Sequence, residues 1–160
     1  MATTRLTLTP LSAEFPASNF PALAFDGQSR PYLAFDTSTD ETCYWTFVAW
    51  QGISGTLTAV VTYRAESATS GTAAFEIALE CITDGDTTDT DSASSFATVN
   101  TASAVTVPGT AGYIDQVSIT LTNNDSIAAG DYCRLKFNRD VSADNASGDI
   151  QVLAVEIREA

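Results

Sequence analysis

Apolar and polar residues alternate with a period of two along much of the chain. In Ala74–Cys81, Phe75, Ile77, Leu79 and Cys81 point one way and Glu76, Ala78 and Glu80 the other. Asp115–Thr122 sets Val117, Ile119 and Leu121 against Gln116, Ser118 and Thr120. Asp131–Arg139 sets Cys133, Leu135 and Phe137 against Arg134, Lys136 and Asn138, and near the end Leu153, Val155 and Ile157 alternate with Ala154, Glu156 and Arg158. Each pattern predicts a half-buried antiparallel strand with one dry face and one wet face. Tyr32–Phe35, Cys43–Trp50 and Leu57–Tyr63 are apolar on both faces and rich in aromatic and β-branched residues. They predict strands covered on both sides, at the centre of a sandwich or under a neighbouring subunit. Weaker strands are expected around Phe96–Thr101 and Ala104–Val107.

The connections carry turn residues. Gln51-Gly52-Ile53-Ser54-Gly55, Pro108-Gly109-Thr110-Ala111-Gly112 and Asn123-Asn124-Asp125 supply Gly, Asn and Asp, which tolerate positive φ and cap turns through their side chains. No segment has a 3.6-residue period. Pro16 and Pro21 break the Ser12–Leu23 stretch, which has room for at most one helical turn. The prediction is an all-β fold, an antiparallel two-sheet β-sandwich or jelly roll of about eight or nine strands.

Residues 1–29 read differently, as an extended N-terminal arm preceding a single β-sandwich domain over 30–160. Leu6 and Leu8 fit one short strand. Beyond it Phe15, Phe20, Leu23 and Phe25 are spaced along a proline-stiffened chain, where a solvated linker would be polar. Two readings follow: the arm packs across its own domain, or these four residues contact a neighbouring subunit.

Charge and composition narrow the partners. The 160 residues carry a net charge of −13, with 20 acidic residues against 7 basic. Nucleic-acid binding needs a basic stripe to displace counterions and is excluded; an anionic membrane surface is disfavoured on the same ground. No apolar run reaches the length of a bilayer span, and Met1–Pro10 lacks the features of a signal peptide, so folding in a cytoplasm is expected. Cys43, Cys81 and Cys133 are odd in number and widely spaced inside strand-like patterns, so they are expected as buried free thiols.

Chemistry is sparse. The chain has no histidine, which removes Ser-His-Asp and Cys-His catalysis, and it has no glycine-rich phosphate loop. Glu76 and Glu80 share a strand face, but as outward residues of an alternating strand they are expected to be solvated. An enzyme is not expected, nor is a required cofactor. Asp84, Asp86, Asp89 and Asp91 fall in one Gly- and Thr-containing loop, a clustered oxygen supply of the kind calcium favours. The spacing does not match an EF-hand, and the plainer reading is an acidic surface loop. Asp36, Asp40 and Glu41 form a second, similar cluster. Tyr44, Trp45, Phe47 and Trp50 lie close together, so Trp45 or Trp50 is a candidate for stacking on a glycan, with core packing or subunit contact as the plainer alternative.

From Gly109-Thr110-Ala111-Gly112-Tyr113 the chain continues through Ser118-Ile119-Thr120-Leu121-Thr122-Asn123 and Ala129-Gly130-Asp131-Tyr132-Cys133-Arg134-Leu135-Lys136 to Val152-Leu153-Ala154-Val155-Glu156-Ile157-Arg158. With Tyr32-Leu33-Ala34-Phe35 and the Ser67-Ala68-Thr69-Ser70-Gly71 turn, this resembles small jelly-roll structural proteins of tailed-bacteriophage virions, of the capsid-decoration or fibre and neck head-domain type. The resemblance covers roughly Arg30 to the C-terminus. It implies a homo-oligomer, commonly a homotrimer, made in the host cytoplasm and carried on the virion, docked on a major capsid protein or another virion protein. The alternative is a carbohydrate-binding module, calcium-stabilised through the Asp84–Asp91 loop, such as a receptor-binding head domain.

Overall fold

The alternating segments become strands in a computed structural model that describes residues 2–67 and 69–160; Ala68 of the quoted turn lies outside them. In chain order the strands are β1 (Thr3–Leu8), β2 (Ala22–Phe25), β3 (Pro31–Phe35), β4 (Thr42–Val48), β5 (Leu57–Ala65), β6 (Thr72–Ala73), β7 (Phe75–Ile82), β8 (Asn100–Thr101), β9 (Val105–Thr106), β10 (Ile114–Thr120), β11 (Tyr132–Arg139) and β12 (Ile150–Glu159). One short 3-10 turn spans Pro10–Ser12. No helix among the described residues is long and apolar enough to cross a membrane.

Two antiparallel sheets face each other as a β-sandwich of jelly-roll type. The larger is ordered β10-β5-β12-β3-β2, with β1 also pairing β12; the smaller is ordered β4-β11-β7-β8. Two of the three segments apolar on both faces take inner places in the larger sheet, β5 between β10 and β12 and β3 between β12 and β2; the third, Cys43–Trp50, is corrected, since it forms β4 at the edge of the smaller sheet. Within the arm, β1 and β2 belong to this sheet. Leu8 pairs with Val155, and Leu23 pairs with Leu33. Phe15 and Phe20 pack on each other with ring centroids 5.6 Å apart, and with Leu23 and Phe25 they remain exposed.

Inward residues of the two sheets interlock around Phe137. Its ring lies 5.3 Å from Phe35, 5.6 Å from Phe75 and 6.1 Å from Trp45. Edge and offset contacts of this kind add to the burial of apolar area. Trp45 is almost wholly buried and its indole N–H donates to the Thr9 carbonyl, so the arm satisfies the one polar atom that this core residue carries.

The expectation of three free thiols is corrected. Cys133 and Cys81 sit directly opposite each other in the β11–β7 ladder with Cα atoms 4.2 Å apart, and they form a disulfide; only Cys43 is a free buried thiol. The close separation is that of a non-hydrogen-bonded antiparallel pair, where opposed side chains lie nearest. The bridge closes a separation of 52 residues, and restricting the unfolded chain in this way stabilises by about 2–4 kcal/mol.

Glu159, at the end of β12, pins the loop before β5. Its carboxylate accepts from the Ser54 and Gly55 amides at 2.6 and 2.8 Å, the Trp50 indole at 3.0 Å and Arg5 at 2.9 Å. Gly55 is required here, since a Cβ would collide with the Ala160 carbonyl oxygen. These donors, led by the Ser54 amide, hold the Glu159 carboxyl at about 2. The Arg30 amide and further donors do the same for Asp26, also at about 2. A carboxylate depressed in the fold contributes stability above its unfolded value and loses it as pH falls towards the folded one. Glu41 and Asp149, raised by burial, act with the opposite sign. With the larger depressions at Glu159 and Asp26, the melting temperature should be flat from about pH 8 to 5 and should fall below about pH 4.5. Glu159→Gln should flatten that fall and should lower melting at pH 7 by roughly 5 °C, measured by thermal denaturation across pH.

Candidate functional site

The smaller sheet turns its outer face to a groove of about 350 Å³. Two strands make the floor. β11 supplies Tyr132 and Arg134, which alternate outward because Cys133, Leu135 and Phe137 face the core; β7 supplies Glu80 and Ile82 by the same parity. In register Arg134 lies opposite Glu80, and Tyr132 opposite Ile82. Segments outside the sheet make the walls. Glu14 of the arm is fixed by two backbone hydrogen bonds to Tyr44, at 2.8 and 2.9 Å, and Thr90 and Ala93 come from the long connection between β7 and β8.

That connection explains why the expected strand from Phe96 shortens to Asn100–Thr101. Residues 83–99 fold back over the sheet, where the Ala97 amide donates to the Leu79 carbonyl at 2.8 Å and the Ser95 amide donates to the Glu80 carboxylate. Phe96 then packs on Tyr44 with centroids 5.8 Å apart. The Arg134 guanidinium lies 4.7 Å from the Tyr44 ring centroid, 5.6 Å from that of Phe96, and 3.8 Å from the Glu80 carboxylate. A planar cation held by two rings and a carboxylate has little freedom left to lose when a ligand arrives. Tyr132 stands at the lip with 44% of its surface exposed. The groove therefore combines a fixed fork of donors, carboxylate acceptors and a free aromatic face, the means to bind a polyhydroxylated chain by its hydroxyls and its C–H face.

The residues singled out from sequence fall elsewhere. Trp45 is corrected: it is 1% exposed and belongs to the core, so it offers no stacking surface. Trp50 is half-buried against the core, and its indole N–H is bonded to Glu159. Glu80 is not solvated as expected but 4% exposed, and Glu76 accepts from Asn138 at 2.9 Å. Asp84, Asp86, Asp89 and Asp91 are exposed, and the hydrogen bonds of Asp86 and Asp89 go to turns: Asp86 accepts from the Thr83 amide at 3.0 Å and Asp89 from the Asp91 amide at 3.4 Å. In the second cluster Asp36 caps the Ser38–Thr39 turn and Asp40 accepts from the Val141 amide at 2.9 Å. Among the described residues no three His, Cys, Asp or Glu side chains converge as metal ligands would. Arg134, Tyr132 and Glu14 were missed because nothing in the pattern says which strand pairs with which.

No family model matches the chain, and no curated protein matches it by sequence. Solved structures do. A carbohydrate-binding module specific for non-crystalline cellulose aligns at TM-score 0.54 and 11% identity, over 99% of this chain and 98% of that one. A carbohydrate-binding module of Cellvibrio mixtus lichenase 5A, solved with cellotriose, aligns at TM-score 0.50 and 10% identity, over 99% of both chains. The CBM22-1 and GH10 modules of Clostridium thermocellum endo-1,4-β-D-xylanase 10B, solved with xylohexaose, align at TM-score 0.53 and 11% identity, over 99% of this chain and 28% of that one.

The fold is thus the β-sandwich jelly roll of carbohydrate-binding modules. These neighbours are carbohydrate-binding modules and not virion proteins, which overturns the reading as a virion structural protein docked on a capsid.

Proposed function

We propose that this chain is a non-catalytic carbohydrate-binding module that takes a single glycan chain in the groove over β7 and β11. The observation that carries the reading is the fixed arrangement of Arg134 over the packed Tyr44 and Phe96 rings and beside Glu80, in a groove whose lip is Tyr132. Glycan hydroxyls would accept from the guanidinium and donate to Glu80 and Glu14, and a pyranose face would lie on Tyr132. Fixed polar groups of this kind set orientation and specificity in concave sites. A concave site suits one soluble chain, not a flat crystalline surface. The absence of histidine and of any cofactor loop in the sequence supports binding without chemistry. The Cys81–Cys133 bridge supports an oxidising compartment, where such polymers are met outside cells.

Screening the protein on an array of soluble glucans and xylans, with cellohexaose and xylohexaose as defined ligands, tests this. The expected result is binding of at least one neutral chain. Binding to none would contradict it.

A further inference from the structure

We propose that the Cys81–Cys133 disulfide is the positioning element of the groove, so that its redox state sets the affinity for glycan. The inference rests on the groove being the glycan site. Each cysteine lies between two floor residues: Cys81 between Glu80 and Ile82, Cys133 between Tyr132 and Arg134. The two triplets are in register across the β7–β11 ladder, Tyr132 with Ile82, Cys133 with Cys81 and Arg134 with Glu80. The bridge is therefore on the core side of the same residue pairs whose neighbours carry the groove on the outer side.

It is also at the end of the β7–β11 ladder, where β4 backs β11 but no strand backs β7. Tyr132–Ile82 is the last β7–β11 pair, and β8 covers only Glu76 and Ile77 on the far side of β7. Beyond that, β7 is held outside the sheet by the Ala97 amide on the Leu79 carbonyl and by the Cys81 amide on Asp125, at 2.8 and 2.7 Å. Strand ends held by few partners open first. With the bridge intact, Glu80 stays opposite Arg134. Once it is reduced, the last three pairs, Arg134–Glu80 among them, can separate and the donor fork loses its carboxylate neighbour.

Reduction by a dithiol breaks the S–S bond and delivers two electrons and two protons to Cys81 and Cys133, while the dithiol closes to a cyclic disulfide. Cys81 is the half-buried partner, so the reductant approaches from its side; Cys133 is wholly buried.

Oxidised protein, dithiothreitol-reduced protein and Cys81→Ala/Cys133→Ala are compared in three ways: amide exchange at residues 80–82 and 132–134, affinity for cellohexaose and xylohexaose by calorimetry, and the midpoint potential with and without saturating sugar. The expected result is a folded reduced protein whose exchange rises first in those two segments and whose affinity falls about tenfold. Coupling is reciprocal, so the sugar should lower the potential by about 30 mV for a tenfold effect. Equal affinity in both redox states, or unchanged exchange in the two segments, overturns the proposal. If the double variant unfolds, the sugar-linked potential of the unsubstituted chain decides. If the oxidised protein binds neither sugar, the glycan reading has failed, and exchange in the two segments alone decides whether the bridge positions the groove.

Discussion

Arg139→Met is expected to destabilise the fold by about 3–5 kcal/mol, because it strips the donors from a set of buried and part-buried acceptors. Arg139 is 0% exposed, and parity places it on the core side at the end of β11. Its guanidinium makes a two-pronged pair with Asp144, at 2.6 and 3.2 Å, and donates to the carbonyls of Phe35, Asp36, Ala146 and Gly148 at 3.2, 3.1, 2.9 and 3.0 Å. One side chain thus ties the end of β3 in the larger sheet to the connection between β11 and β12. Methionine fills most of the volume but leaves those carbonyls and the Asp144 carboxylate without their charged partner. An unpaired buried charge costs more than the intact pair gains. Melting should fall by roughly 10 °C. Arg139→Met/Asp144→Leu should cost less than Arg139→Met alone, a coupling that denaturant titration of the full mutant cycle measures. A cost below about 1 kcal/mol for Arg139→Met would mean that the junction does not depend on this residue.

The second large effect is on binding. Arg134→Ala removes the fixed donor fork and should weaken glycan affinity by about 10- to 100-fold, since hydrogen bonds to a charged group contribute about 1.5–3 kcal/mol. Arg134→Lys keeps the charge but loses the planar contact with the Tyr44 and Phe96 rings, and it should recover only part of the loss. Glu80→Gln keeps the shape but exchanges an acceptor of hydroxyl protons for a weaker one. Melting of each variant separates lost binding from lost fold, because Glu80 also holds the Ser95 amide of the covering loop.

The strands and their dry faces were legible in the sequence. Phe75, Ile77 and Leu79, or Leu135 and Phe137, alternate cleanly because each strand has the core on one side only, and every one of them is buried. The arm was half legible. Leu6 and Leu8 gave β1, but β2 has proline at its margin and no alternation, and it exists because β3 offers an edge. Pairing was not legible. Cys81 and Cys133 are 52 residues apart, and only the ladder brings them together. Glu80 read as solvated because parity turned it outward, and parity cannot foresee a loop folding back over the sheet. The aromatic cluster pointed to Trp45 and Trp50, while the groove took its rings from Tyr44, Phe96 and Tyr132, on strands and loops distant in sequence. The virion function rested on a strand-and-turn pattern, which the jelly roll itself imposes and which carries no information about what the outer face binds.

Tyr132→Ala is the most direct test of the groove. Tyr132 is 44% exposed at the lip, so its removal should leave melting nearly unchanged. Tyr113, 64% exposed beside β10 of the other sheet, is the rival aromatic surface. In calorimetric titration with cellohexaose and xylohexaose, the chain should bind at least one sugar, Tyr132→Ala should weaken that binding about tenfold through the lost stacking surface, and Tyr113→Ala should leave it intact. Undiminished binding by Tyr132→Ala together with lost binding by Tyr113→Ala would place the ligand on the other sheet and contradict the account.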